Sequence, residues 1–157
     1  MSISEKDLFD ARTAWGNGLI EISDTFENEG IEMATSLASD LIDNLYGFNF
    51  GKVLFKPTLS GGSQTFRTTK EGALSYFVGH NPAYPNDSGF GIKFWREINS
   101  DTSAIFIDDT VAMWMGWVTF IDKDGQVTKV DKSWGYKLDD VGNLRITLHH
   151  SSLPYEL

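Results

Sequence analysis

Apolar residues recur at helical spacing through the first quarter of the chain and at alternating spacing through its second half, with a punctuated stretch between. Leu8, Ala11, Trp15, Leu19 and Ile22 share one helical stripe, and Ser4-Glu5-Lys6-Asp7 ahead of them has the form of a capping box. The spacing predicts a helix running to about Asn28 and broken by Gly30. Met33, Leu37, Leu41 and Leu45 then recur every four residues and predict a second helix ending near Gly47, so that the two form a hairpin. Val53 to Leu59 reads as extended, Ser60-Gly61-Gly62-Ser63 as a turn and Lys70 to Phe77 as a short helix; Gly79 to Gly89, with Pro82 and Pro85, reads as loop.

Strand candidates follow at Phe90 to Ile98, Ser103 to Ile107, Val111 to Ile121, Val127 to Lys137 and Leu144 to Ser152. Turn signals separate them at Asp108-Asp109, Asp122-Lys123-Asp124-Gly125 and Asp139-Asp140-Val141-Gly142-Asn143. Helices first and a long meander after them predict an α+β fold: a helical hairpin packed on a curved antiparallel sheet, with a cavity on the concave face. No repeat or linker divides the chain, so residues 1–157 are expected to form one domain. Sheets of this kind commonly pair, which leads us to expect a homodimer or higher homo-oligomer.

Composition narrows the chemistry. The chain has 157 residues, 41% of them hydrophobic and 13% aromatic, enough to bury a core without staples. It has no Cys, which closes disulfide scaffolds, thiolate-ligated metals and thiol nucleophiles. Net charge is −9, and up to Phe50 ten acids stand against only Lys6 and Arg12. An acidic chain without a Lys/Arg cluster lacks the footprint of a nucleic-acid or anionic-membrane partner. No apolar run approaches the ~20 residues of a membrane span, and the first residues are too polar for a signal peptide, so a cytoplasmic protein is expected.

The densest chemistry is Leu148-His149-His150-Ser151-Ser152-Leu153-Pro154-Tyr155. Strict alternation places Arg145, Thr147, His149 and Ser151 on one face and Leu144, Ile146, Leu148, His150 and Ser152 on the other. The polar face is either the solvent side or the lining of a polar cavity. His149 and His150, being adjacent, point apart and do not readily share an ion, and His80 is the only other His. The residues therefore favour a site with no metal, with Mn or Zn as the alternative. His149 and Ser151 lie roughly 7 Å apart along the strand, too far for direct nucleophile–base contact. No Gly-x-Ser-x-Gly elbow is present either, which argues against acyl transfer. Thr58 and Tyr76 are hydroxyls in apolar surroundings, the setting of buried, hydrogen-bonded groups.

Four blocks, Val53-Leu54-Phe55-Lys56-Pro57-Thr58-Leu59, Gly72-Ala73-Leu74-Ser75-Tyr76-Phe77-Val78-Gly79, Asp87-Ser88-Gly89-Phe90 and Leu144 to Tyr155, resemble in matching order the signature blocks of the iota-class carbonic anhydrases. More distantly, the closing hairpin and the His-Ser tail resemble the association domain of calcium/calmodulin-dependent kinase II. The resemblance implies the cystatin-like, nuclear transport factor 2-like (SnoaL-like) cone and reversible hydration of CO2 to bicarbonate. Its metal-free form implies Thr58, Tyr76 and Ser151 around the bicarbonate, with His149 beside Ser151 as proton carrier and no cofactor. Phe55, Leu74, Phe77 and Trp134 would then wall the CO2. Where the family pattern has an acid followed by Tyr-Thr-Phe-Gly-Tyr, this chain has Asp131-Lys132-Ser133-Trp134-Gly135-Tyr136, and Met113-Trp114-Met115-Gly116-Trp117-Val118 is bulkier than the family version. If these strands line the pocket, the extra indoles reshape it. Two other readings share the cone: a SnoaL-like isomerase or dehydratase using Tyr76 and His149, which needs a larger apolar cavity, and a non-catalytic oligomerisation module.

Overall fold

The computed structural model describes residues 2–157. Helix α1 (Glu5–Glu29) starts at the capping box: Ser4 Oγ accepts from the Asp7 N–H at 3.2 Å, and the Asp7 carboxylate accepts from the Ser4 N–H at 2.8 Å. It ends at Gly30, whose φ of 92° disfavours a side chain, and α2 (Ile31–Leu45) begins at once. The buried row of α2 is Ala34, Ala38 and Ile42; Met33 of the expected stripe is exposed, and Leu37, Leu41 and Leu45 are only partly covered. Small residues won that face because they let α2 lie close to α1.

Strands β1 (Leu54–Lys56), β2 (Trp95–Asp108), β3 (Val111–Asp122), β4 (Val127–Leu138) and β5 (Leu144–Ser152) form one sheet in the order β1-β5-β4-β3-β2, with α3 (Lys70–Val78) between β1 and β2. The β2–β5 meander is antiparallel, as expected, whereas β1 joins the free edge of β5 in parallel. The two candidates at Phe90–Ile98 and Ser103–Ile107 are one strand, β2, irregular between Thr102 and Ala104, and Phe90–Ile92 is a 3-10 turn. The helices cover one sheet face. On β3 that face carries Ala112, Trp114, Val118 and Phe120, all buried, while Met113, Met115 and Trp117 look outward and are exposed.

Strict alternation fails on β5. Pairing with β4 shifts between Gly135 and Tyr136, which oppose Leu148 and Ile146, so Thr147 is an extra residue and the strand changes phase there. Ile146, His149 and Ser151 are consequently all buried on the inner face, whereas Arg145 and Thr147, expected beside them, are only half-buried. Arg145 instead pairs with Asp139 and reaches the carbonyls of Asp43 and Asn44 at the end of α2. No helix among the described residues is long and apolar enough to cross a membrane.

Candidate active site

Three segments far apart in the chain bring three hydroxyls together. The parallel pairing of β1 with β5 sets Phe55 opposite His149, and the chain leaving β1 through Pro57 carries Thr58 to Ser151, where the two Oγ atoms are 2.6 Å apart. Thr69 caps α3 by accepting from the Gly72 N–H, and the helix presents Tyr76, whose hydroxyl accepts from the Leu59 N–H at 3.2 Å and stands beside Thr58. Burial pushes the Tyr76 phenol up to about 12, so near neutrality it stays a proton donor. Tyr76 is held from behind. Asp87 accepts two bonds from the buried Arg67 guanidinium, at 2.7 and 2.8 Å, and one from Ser75 at 2.7 Å, while Arg67 also reaches the carbonyls of Gln64 and Gly72. That cluster ties the 79–89 loop to the start of α3 and accounts for the Asp87-Ser88-Gly89-Phe90 block as support for the site.

His149 is fully buried, and both ring nitrogens are engaged: Nδ1 with the Tyr46 hydroxyl at 2.8 Å and Nε2 with Lys132 Nζ at 2.9 Å. Its ring stacks on Phe55, with centroids 4.6 Å apart. Burial, then the neighbouring Lys132 and His150, holds the imidazole well below its ordinary range. That direction bears against a proton-carrier role, which rests on an ordinary imidazole titrating near neutrality.

The group with the tuned basicity is Lys132. It opposes Ser151 across the β4–β5 ladder, is 3% exposed, forms no ion pair among the described residues, and sits 4.8 Å from the centre of the Trp15 ring. Burial, and secondarily the Lys56 charge, pushes its amine down to about 7. The hydrogen-bond chain points the same way. The Trp15 indole can only donate, and does so to the Tyr46 hydroxyl at 3.0 Å. If Tyr46 in turn donates to Nδ1, then Nε2 carries the hydrogen and Lys132 must accept it as a neutral amine. An ammonium would force the chain to reverse, leaving the Tyr46 proton among the faces of Phe48, Phe55 and Phe77. The sequence held one sign of Lys132: along β4 every second residue from Val130 to Tyr136 is buried and apolar except this one.

Trp15, Phe55, Pro57, Thr58, Tyr76, Phe77, Phe90, Lys132 and His149 close around this point and leave almost no open volume between them. Of the four expected wall residues, Phe55 and Phe77 line it. Trp134 stands behind His149, with ring centroids 5.2 Å apart, and Leu74 lies half-buried outside the lining. His150 faces away from His149, as their adjacency requires, and is exposed. Among the described residues no three His, Asp or Glu side chains are placed to hold a metal ion.

A family model described as "Metal-independent carbonic anhydrase" matches residues 6–153. A curated protein of that name from Nostoc sp. (strain PCC 7120) is 49% identical over 155 residues, covering 99% of this chain and 76% of its own length. A solved structure of the iota-carbonic anhydrase from a cyanobacterium, complexed with bicarbonate, matches with a TM-score of 0.98 at 49% identity, over 99% of this chain and 95% of that one. A putative calcium/calmodulin-dependent protein kinase II association domain from Xanthomonas campestris matches with a TM-score of 0.59 at 22% identity, over 96% of this chain and 85% of its own, a likeness of fold alone.

Proposed function

The chain belongs to the metal-independent carbonic anhydrase family, and from that premise we propose that Thr58, Tyr76 and Ser151 bind the reacting carbon's oxygens while Lys132 takes the proton. The protein catalyses the reversible hydration of CO2 to bicarbonate without a bound metal or other cofactor. The observation that carries the site assignment is the convergence of the three hydroxyls beside a buried lysine that has no carboxylate partner. The site is closed in this structure, and CO2 and its water enter as the lining side chains part. Its closure leaves the isomerase or dehydratase reading, which needs a roomy cavity, without support.

Without a cation, water keeps a pKa near ~15.7, so the protein must place the water, polarise CO2 and remove a proton as the bond forms. The Tyr76 phenol and one of the Thr58/Ser151 hydroxyls donate to the CO2 oxygens; the other hydroxyl orients the water. The water oxygen bonds to carbon, one C=O electron pair moves onto its oxygen, and the released proton passes to the Lys132 amine as its lone pair turns away from the His149 Nε2–H, and then to buffer. Charge grows on the CO2 oxygens in the transition state, so these donors act more strongly there than on substrate. His149, held neutral, positions Lys132.

The test is stopped-flow CO2 hydration after exhaustive chelation. The rate is expected to be unchanged by the chelator and by added Mn or Zn; a rate lost on chelation and restored by either ion overturns the reading.

We also propose a homodimer through the outer sheet face, where Phe106, Met113 and Met115 are exposed around a hollow of about 360 Å³ whose wall is nearly all apolar. A second copy of the chain, carrying the same patch, is its occupant. In light scattering, Met113→Glu with Met115→Glu is expected to convert a dimer to a monomer that still hydrates CO2. A wild-type monomer at micromolar concentration overturns the proposal.

A further inference from the structure

A second cavity, of about 240 Å³, lies on the other side of Trp15, between α1 and strands β2 to β4. Phe9, Arg12, Asn17, Asn99, Ser100 and Trp134 are among the residues lining it. Arg12 is 8% exposed and has no carboxylate partner among the described residues. Its Nε donates to Ser100 Oγ at 3.2 Å, its Nη2 makes only a long contact of 3.5 Å to Thr102 Oγ1, and its plane lies 4.8 Å from the centre of the Trp114 ring. Two of these lining residues carry a covered N–H donor with no protein acceptor at all: Arg12 Nη1 and Trp134 Nε1.

A buried guanidinium without a counter-charge is costly, and an unpaired buried donor adds to the cost. Such groups are rare in native proteins and call for a reason, a bound ion or water among them. The chain's strong negative charge is no substitute, because no acid reaches Arg12. The donor set also specifies shape. The free edge of a guanidinium and an indole N–H offer hydrogen bonds to two oxygens, which matches a small planar oxyanion. Bicarbonate is such an ion, and the proposed reaction makes it next door.

We propose that this cavity is a second, non-catalytic binding site for bicarbonate, held by Arg12 and the Trp134 indole. The choice of bicarbonate over other planar oxyanions rests on the activity assigned above; the existence of the site does not. Trp134 packs against both His149 and Trp15, with ring centroids 5.2 Å away in each case, so an ion at Trp134 Nε1 touches the back of the active-site wall.

The test reads the five Trp indole N–H signals of 15N-labelled protein by NMR, with Trp134 assigned from Trp134→Phe. Sodium formate, a planar oxyanion that is not a substrate, sodium bicarbonate and sodium chloride are titrated separately at matched ionic strength. A saturable downfield shift of the Trp134 signal is expected with formate and bicarbonate. It should persist in Ser151→Ala and be lost in Arg12→Gln, which retains CO2 hydration. If Arg12→Gln loses its dispersed spectrum, Arg12→Lys, which keeps the charge but not the fork, is expected to bind at least tenfold more weakly. The proposal is overturned by no shift in the wild type, by a response to chloride alone, by loss of the shift in Ser151→Ala, or by undiminished affinity in both Arg12 variants. A response to formate but not to bicarbonate would keep an oxyanion site and overturn its assignment to the reaction product.

Discussion

Ser151→Ala is expected to lower kcat for CO2 hydration by ~100- to 1,000-fold, the range for removing one preorganised donor to a developing oxyanion, while the protein stays folded. Tyr76→Phe should fall in the same range, because it removes the one acidic hydroxyl of the cluster while leaving its ring stacked on Phe90 at 5.7 Å. Both losses of stability are modest. Ser151→Ala deprives Thr58 Oγ1 of one partner, and Tyr76→Phe leaves the Leu59 N–H without its acceptor. Each unsatisfied buried group costs ~1–3 kcal/mol, against the ~5–15 kcal/mol that holds a typical domain together. The double variant should fall well short of the product of the singles, since the hydroxyls act as a unit. Thr58→Ser, which keeps the hydroxyl, is expected to retain most activity where Thr58→Val does not, a contrast that packing alone does not produce. Near-wild-type rates in folded Ser151→Ala and Tyr76→Phe would falsify the site assignment.

How much of this was legible in the sequence depends on the range over which each feature is decided. The capping box at Ser4, the break at Gly30 and the β2–β5 turns are set by neighbouring residues, and all appear where the patterning put them. The parallel seat of β1 on β5 joins residues more than ninety positions apart, and nothing local encodes it. Yet it is what lays Phe55 on His149 and delivers Thr58 to Ser151. The bulge at Thr147 escaped for a related reason: an extra residue in a strand is visible only against its partner, and it switches which residues face inward. The His149 and Ser151 pairing survived because it lies wholly beyond the bulge. Lys132 and Arg12 were missed although each stands in phase with apolar neighbours, Lys132 between Val130 and Trp134 on a strand and Arg12 one helical turn after Leu8. A charged residue in the apolar phase is the signal that was present, and in this chain it marks both the closed site and the cavity beside α1.

Lys132→Met carries the other large effect, because it removes the proton acceptor while keeping most of the stem that fills the space. Hydration at pH 8 is expected to fall by ~100- to 10,000-fold, the usual worth of a positioned general base. The pH profile separates this role from packing. The amine accepts a proton only when neutral, so the wild-type enzymatic rate, after subtraction of the hydroxide reaction, should climb as pH rises through about 7 and then level off. Lys56 and Asp131 are the charges that bear on that midpoint, the first lowering it and the second raising it, and His149 stays neutral throughout. In Lys132→Met the climb should vanish along with the rate. Below pH 7, stability should move the opposite way from a simple loss of contacts. The folded state holds Lys132 near 7 while the unfolded chain titrates at 10.5, so the unfolded chain binds the extra proton between those values and wild-type stability rises with pH across that window. Removing the amine removes the slope: at high pH the variant is expected to be less stable than the wild type by the ~1–3 kcal/mol of an unpaired His149 Nε2–H, and below pH 7 to be more stable than the wild type. Thermal unfolding between pH 6 and 10 checks that half of the expectation. A folded Lys132→Met protein with the wild-type rate and the same midpoint near 7 would show that the proton goes elsewhere.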